Sequence, residues 1–246
     1  MASQFFAIVA GVGAGTGGAV AKRFAQAYPV VLLARKPESY NDVVSEIQKA
    51  GGKAFGVTTD TADEASVASA FETIKKELPD SKLAAAIYNV GGGRGLKPFL
   101  ELSVEDLDSS YQSNARGLFL FAQKALPLLL ESVEESPHPP SLIVTGATAS
   151  LRGSVRFSDF AAGKFAKRAI TQSLAREFGP KGVHVAHAII DGGIDIPRLK
   201  DRVINNGAPD GKISPDAIAE SYWHLHTQHR SAFTQELDIR PYVEKF

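Results

Sequence analysis

The 246 residues are 44% apolar, enough for a full core, and 27 basic side chains balance 27 acidic ones, so no net field draws the chain to nucleic acid or to an anionic membrane. Cysteine is absent, which excludes disulfides and thiolate metal sites and fits a reducing, cytoplasmic setting. No apolar run reaches the length of a membrane span, so a soluble protein is expected, with neither membrane nor nucleic acid as partner.

The first apolar run, residues 5–10, reads as a strand. The stretch after Met1 lacks the basic flank of a signal peptide, and its glycines are spaced for a turn. That turn is Gly11-Val12-Gly13-Ala14-Gly15-Thr16-Gly17-Gly18, followed by helical periodicity over 19–28. Strand, glycine turn and helix in this order let the backbone approach a pyrophosphate, whose charge meets the N–H groups at the helix start. The plainer alternative is a glycine-rich helix start with no ligand. A second strand, 30–34, ends in Leu33-Ala34-Arg35-Lys36. An acidic side chain there would select NAD; Arg35 instead suits the extra 2′-phosphate of NADP(H), unless Arg35 and Lys36 are only solvated loop cations.

Further on, strands are expected at 54–58, 83–88, 142–145, 183–190 and, more weakly, 233–239. Helices are expected at 40–50, 64–77, 104–130, 157–178 and 215–228. Regular alternation of this kind predicts one α/β domain over 1–246, a doubly wound parallel sheet (Rossmann fold) of about seven strands with helices on both faces. Segment 134–140 is a loop, and 196–212 is a polar, glycine-punctuated excursion, a candidate lid. Of the clustered histidines His224, His226 and His229, only the last two could share a metal, and no carboxylate stands at ligand spacing, so no metal is expected. His184 and His187 point to opposite faces of the sixth strand, as packing residues do. Arg94 and Tyr111 could reach the pocket mouth, but each reads more readily as an ordinary surface residue and neither is counted in the site.

The order of these motifs resembles the short-chain dehydrogenase/reductase family over nearly the whole chain. Residues Ala10 to Gly17 resemble the family's TGxxxGxG turn, with alanine for the leading threonine, and Asp60-Thr61 resembles the pair that contacts adenine. Tyr88-Asn89-Val90-Gly91 is similar to NNAG, Asn114 matches the catalytic asparagine, and Lys164 matches the lysine of YxxxK. The cofactor-binding set implied by the resemblance is Gly11, Gly13, Gly15, Thr16, Gly17, Arg35, Asp60, Thr61, Asn89, Val90, Gly91, Lys164, Asp191, Gly192 and Ile194. The catalytic set is Asn114, Lys164, Thr148 and position 160. The family also implies a small-molecule substrate, and a homodimer or homotetramer built on the two long helices.

Two departures matter for the chemistry. Phe160 stands where the family's proton-donating tyrosine would be, and the serine that polarises the carbonyl falls on Ala147 or on Thr148, depending on the direction of counting; only Thr148 carries a hydroxyl. After the sixth strand the usual proline-glycine pair is Asp191-Gly192, and the threonine that commonly holds the carboxamide is Ile196. A positioned acid is worth about 10²–10⁴ in rate. Three outcomes follow: a carbonyl reductase with another donor (Thr148, Ser158, Asp159 or the Lys164 ammonium); hydride transfer to an iminium or polarised alkene, favoured for a cation by Asp191 and the Phe160 ring; or a cofactor-binding protein or non-redox catalyst that has abandoned hydride chemistry. Pocket walls would come from the loop 91–97 and the excursion 196–212.

Overall fold

A computed structural model describes residues 4–91 and 96–245. Its seven strands are β1 (Phe5–Ala10), β2 (Val30–Ala34), β3 (Ala54–Thr58), β4 (Lys82–Tyr88), β5 (Ser141–Thr145), β6 (His184–Ile190) and β7 (Glu236–Ile239). They pair in the order β3-β2-β1-β4-β5-β6-β7, every neighbour parallel. This is the doubly wound sheet expected from the alternation. All six residues of β1 are buried, as are all seven of β6, because strands covered on both faces have no solvent side and read as near-continuous apolar runs.

The period-2 alternation of β1 divides the core into two layers. Ala7 and Val9 pack with Val20 and Phe24 of α1 (Thr16–Phe24), Val43 and Ile47 of α2 (Asn41–Lys49), and Ile218 and Tyr222 of α7 (Pro215–His226). Phe6 and Ile8 pack with Val67 and Phe71 of α3 (Glu64–Glu77) and with Leu118 and Phe121 of α5 (Gly117–Leu130), while Ile170 and Leu174 of α6 (Ser158–Phe178) close the same layer. Helix α1 begins at Thr16, three residues before the expected start, so Gly17 and Gly18 lie inside it. Glycine disfavours helix interiors, but a Cβ on either residue would crowd the Gly11 or Gly13 carbonyl.

The expected helix 104–130 is two helices. Between α4 (Val104–Tyr111) and α5 lies a π-helical turn, Gln112–Arg116. A π-turn inserts one residue into the helical ladder and frees backbone groups from it. Here the Tyr88 hydroxyl donates to the Ser113 carbonyl at 2.8 Å, and Asn114 Nδ2 donates to the Ser110 carbonyl at 2.9 Å. A single inserted residue moves the apolar stripe by only one position, so the segment still reads as one continuous helix in the sequence. No helix among the described residues is long and apolar enough to cross a membrane.

At the opposite end of the sheet His226 is fully buried; its Nδ1 meets Ser141 Oγ at 2.8 Å and its Nε2 meets the Tyr28 hydroxyl at 3.0 Å. Burial pushes its pKa down to about 3, and that of buried His187 to about 4. Unfolded histidine takes a proton near pH 6.5, so below that pH the unfolded chain binds protons that these folded sites refuse. Stability is therefore full above about pH 6.5 and falls as pH drops towards 4 and 3, by about 2 kcal/mol per histidine at pH 5. Urea unfolding should show a clearly lower midpoint at pH 5 than at pH 7.5; equal midpoints would contradict this account.

Candidate functional site

β1 ends at Ala10, and the chain reverses with Gly11 at φ +89°, where a Cβ would lie 2.7 Å from the backbone of Asn89 and Val90. The approach is held by Asn89, whose backbone N–H donates to the Ala10 carbonyl at 2.8 Å and whose side-chain amide donates to the Gly11 carbonyl at 2.9 Å. Asn89 thus ties β1 to β4 at the point where strand order reverses, the crevice in which doubly wound folds bind ligands. Helix α1 then starts with no side-chain cap and no acidic residue in its first turn. By contrast α3 is capped by Asp63 and α4 by a Ser103–Asp106 capping box. The uncapped end of α1 leaves N–H groups and positive dipole for an anion. Thr16 adds a buried hydroxyl with no partner.

These groups face a cavity of about 580 Å³ lined by Gly11, Gly13, Gly15, Thr16, Gly17 and Asn89 at one end. At the other end stand Gly91, Ala147, Phe160, Lys164 and Gly192 to Ile194. Gly13 has open space on its Cβ side. A glycine cradle, an uncapped helix start and an unpartnered hydroxyl fit the phosphates of a dinucleotide. Lys164 Nζ lies 5.3 Å from the centre of the Phe160 ring. Burial pulls the Lys164 pKa down to about 8. Asn114, fully buried in the π-turn, packs behind this wall against Gly163 of α6.

Several expected site residues sit elsewhere. Of the two counts for the missing serine, Ala147 occupies the cavity wall, whereas the Thr148 hydroxyl donates to Asp191 Oδ1. Thr148 is spent on that bond because the chain enters a 3₁₀ turn at Thr148–Ser150, turning the side chain from the cavity. Asp191 is buried and also pairs with Arg240 at 3.1 Å, so its charge is neutralised by a guanidinium and does not recommend the pocket to a cation. Asp60 is exposed and its carboxylate accepts from the Ala62 N–H at 3.0 Å; buried Thr61 shares its hydroxyl with Tyr88 at 3.3 Å. Neither lines the cavity. Arg35 is exposed at the end of β2 and makes no ion pair among the described residues. Tyr111 is exposed on α4, and Arg94 lies outside the described residues. The excursion does border the cavity, through Ile196, Arg198 and Leu199.

Two buried residues at the site escaped the sequence. Lys167, fully buried one turn beyond Lys164, donates from Nζ to the Val90 carbonyl at 2.5 Å. A second lysine on the stripe that already carries Lys164, three residues on and so on the same helix face, was the available signal. His187 lies directly beneath Gly146 of the cavity floor, its ring nitrogens without a hydrogen-bond partner.

The model of the short-chain dehydrogenase family matches residues 6–205. The chain belongs to that family. Among short-chain dehydrogenases, the 7alpha-hydroxysteroid dehydrogenase of Escherichia coli K12 is 29% identical over 195 residues, 79% of this chain and 72% of that protein. The crystal structure of a short-chain dehydrogenase from Rhodopseudomonas palustris is 33% identical with a TM-score of 0.77, covering 96% of this chain and 99% of that one. A short-chain dehydrogenase from Burkholderia cenocepacia, solved in complex with NADP, is 24% identical with a TM-score of 0.83 and 97% coverage of each chain.

Gly146 offers a direct check on this short-chain dehydrogenase's cavity floor, since a Cβ there would overlap the His187 imidazole. His187 is fully buried and cannot swing away, so Gly146→Ala should cost about 1–3 kcal/mol in denaturant titration. The cost should shrink in a His187→Ala background. Equal costs in both backgrounds would mean that the two residues do not press on each other.

Proposed function

We propose that the protein binds NADP(H) and transfers hydride to a carbonyl, imine, iminium or polarised alkene of a small molecule. The observation that carries this reading is the uncapped α1 start, cradled by Gly11 and Gly17 and tied to β4 by Asn89, opening on the cavity that Lys164 also lines. The choice of NADP(H) rests on Arg35, a guanidinium with no carboxylate partner at the strand end where a 2′-phosphate would lie. NADPH should then bind at least tenfold more tightly than NADH, a difference of about 1.4 kcal/mol, with Arg35→Asp reversing the preference. Fluorescence titration giving equal dissociation constants, or a mutation without effect, would reject it.

When bound, the nicotinamide supplies the hydride; the chain's part is to hold, shield and manage protons. Gly11 to Gly17 would seat the phosphates, and Lys164 would face the nicotinamide ribose. Phe157, Phe160, Ile190 and Ile194 give the cavity apolar walls that keep water from the reacting centre. Neither wall residue at the usual acid positions, Ala147 or Phe160, carries a hydroxyl. The same observation favours a second reading, a cofactor-binding protein or non-redox catalyst on this fold. Consumption of NADPH with a panel of ketones, imines and enones separates the two. If simple ketone reduction was lost through these positions, Phe160→Tyr with Ala147→Ser should raise it by about 10²-fold or more. If the variant stays inactive and wild type consumes no NADPH with any substrate, the hydride reading fails.

The oligomer belongs to the same reading. Leu107 and Tyr111 on α4, Phe119 on α5 and Phe165 on α6 are all exposed. Apolar side chains presented together on the long helices suit a homodimer or homotetramer formed through them. A monomer at micromolar concentration in light scattering would contradict it.

A further inference from the structure

Lys164 and Lys167 stand three residues apart on the sheet-facing side of α6, and are 6% and 0% exposed. Their amines converge on the same short segment, for a Cβ at Gly91 would meet Lys164 Nζ at 2.9 Å and Lys167 Nζ reaches the carbonyl of the preceding Val90. Lys167 Nζ is also fixed by two backbone carbonyls at the ends of neighbouring strands, Val90 at 2.5 Å and Thr145 at 3.4 Å, and sits 5.2 Å from the centre of the Tyr88 ring. From β6, His187 faces the pair, kept neutral by burial. From β4 comes Tyr88, and from β5 Thr145, whose hydroxyl meets Tyr222 of α7; burial raises the pKa of both phenols and keeps them protonated. Behind His187, Glu236 and Arg168 neutralise each other at 2.7 Å. Asp159 in the first turn of α6 is also buried, with its Oδ1 unpartnered, but among the described residues neither amine forms an ion pair with a carboxylate.

Two neighbouring ammonium ions, both buried and neither ion-paired, are a combination that proteins avoid by giving up a proton. We propose that Lys164 and Lys167 hold a single proton between them at neutral pH, and that this shared proton is the one delivered to the substrate oxygen in the absence of a tyrosine. The donor count supports it. A neutral Lys167 amine has two N–H bonds and one lone pair; the two carbonyls take the former, and the Lys164 ammonium donates to the latter. Were Lys167 the charged partner, its third N–H would point at a neutral Lys164. Either arrangement stores one proton. Burial lowers both pKa values, that of Lys164 to about 8, while the neighbouring lysine pushes Lys167 further down.

Only Lys164 lines the cavity, so it is the group that meets substrate, and Lys167 is a positioning residue that sets its proton affinity. The step rests on the hydride reading above. A bound reduced nicotinamide would supply hydride to the carbonyl carbon; as the π pair moves to oxygen, an N–H bond of the Lys164 ammonium breaks and an O–H bond forms. Two neutral amines remain, and solvent returns one proton.

The test uses protein labelled with ¹³C at lysine Cε, without cofactor, titrated from pH 6 to 11 by NMR, with the pair assigned through Lys164→Met and Lys167→Met. In wild type one of the two signals should sit at the neutral-amine position at pH 7. Lys167→Met should lower the Lys164 midpoint by about one pH unit, because an acceptor is lost. Both signals at the ammonium position at pH 7, with the Lys164 midpoint rising in Lys167→Met as a repelling charge departs, would overturn the proposal. The wild-type count decides the matter even if the variant fails to fold. In turnover, reduction should fade above the Lys164 midpoint and the fade should move with Lys167→Met; a fade that stays put overturns the delivery step. Failure to consume NADPH at all would leave the titration intact and defeat the hydride reading alone.

Discussion

The side chain of Asn89 reaching the carbonyl of Gly11 fixes how closely two strands' ends approach. That bond brings the turn after β1 so near to the backbone after β4 that no Cβ fits at Gly11, and the tight turn in turn aims α1 at the cavity. The consequences run outward. Gly17 and Gly18 must follow because the helix passes over the carbonyls of Gly11 and Gly13. Val90, carried along at the same strand end, presents its carbonyl to Lys167. One amide therefore joins the phosphate end of the cavity to its chemical end.

Strands and helices were legible where a single period governed them. β1 reads as an unbroken apolar run, and β6 as one interrupted only by His184 and His187, because the sheet is covered on both sides, and the amphipathic α2 and α3 follow their stripes. What failed to show was structure set by tertiary contact. At the π-turn around Asn114, Tyr88 of β4 takes up a carbonyl that the helical ladder releases. Thr148 is expected from the sequence to offer a hydroxyl to the pocket, yet the preference of that hydroxyl for Asp191 depends on the end of β6 and on Arg240, far apart in sequence. Lys167 was visible as a letter but not as a buried amine, since lysine on a helix ordinarily reaches for water.

The electrostatics of the site are set by what surrounds Phe160 and Ala147. These two residues make that part of the wall apolar, which strengthens every electrostatic interaction in it. Two nearby charges are settled by ion pairs, Asp191 against Arg240 and Glu236 against Arg168. Lys164 and Lys167 are left as buried amines without such a pair, with the His187 imidazole beneath the cavity floor.

The excursion after β6 is pinched at its base. Ile194 pairs with Ile213 in a lone parallel bridge, and Ile213 donates its N–H to the Gly193 carbonyl at 2.8 Å, so the chain leaves and rejoins the body at one point. The cost of closing such a loop grows only slowly with its length. Residues between the two isoleucines can accordingly be lengthened, shortened or exchanged without disturbing the sheet, provided that Ile196, which packs on Gly15, and Asn205, which bonds Glu244, are kept. Evolution can rewrite the roof of this pocket as a separate module, and so can a designer who grafts a roof from another protein between the same two anchors.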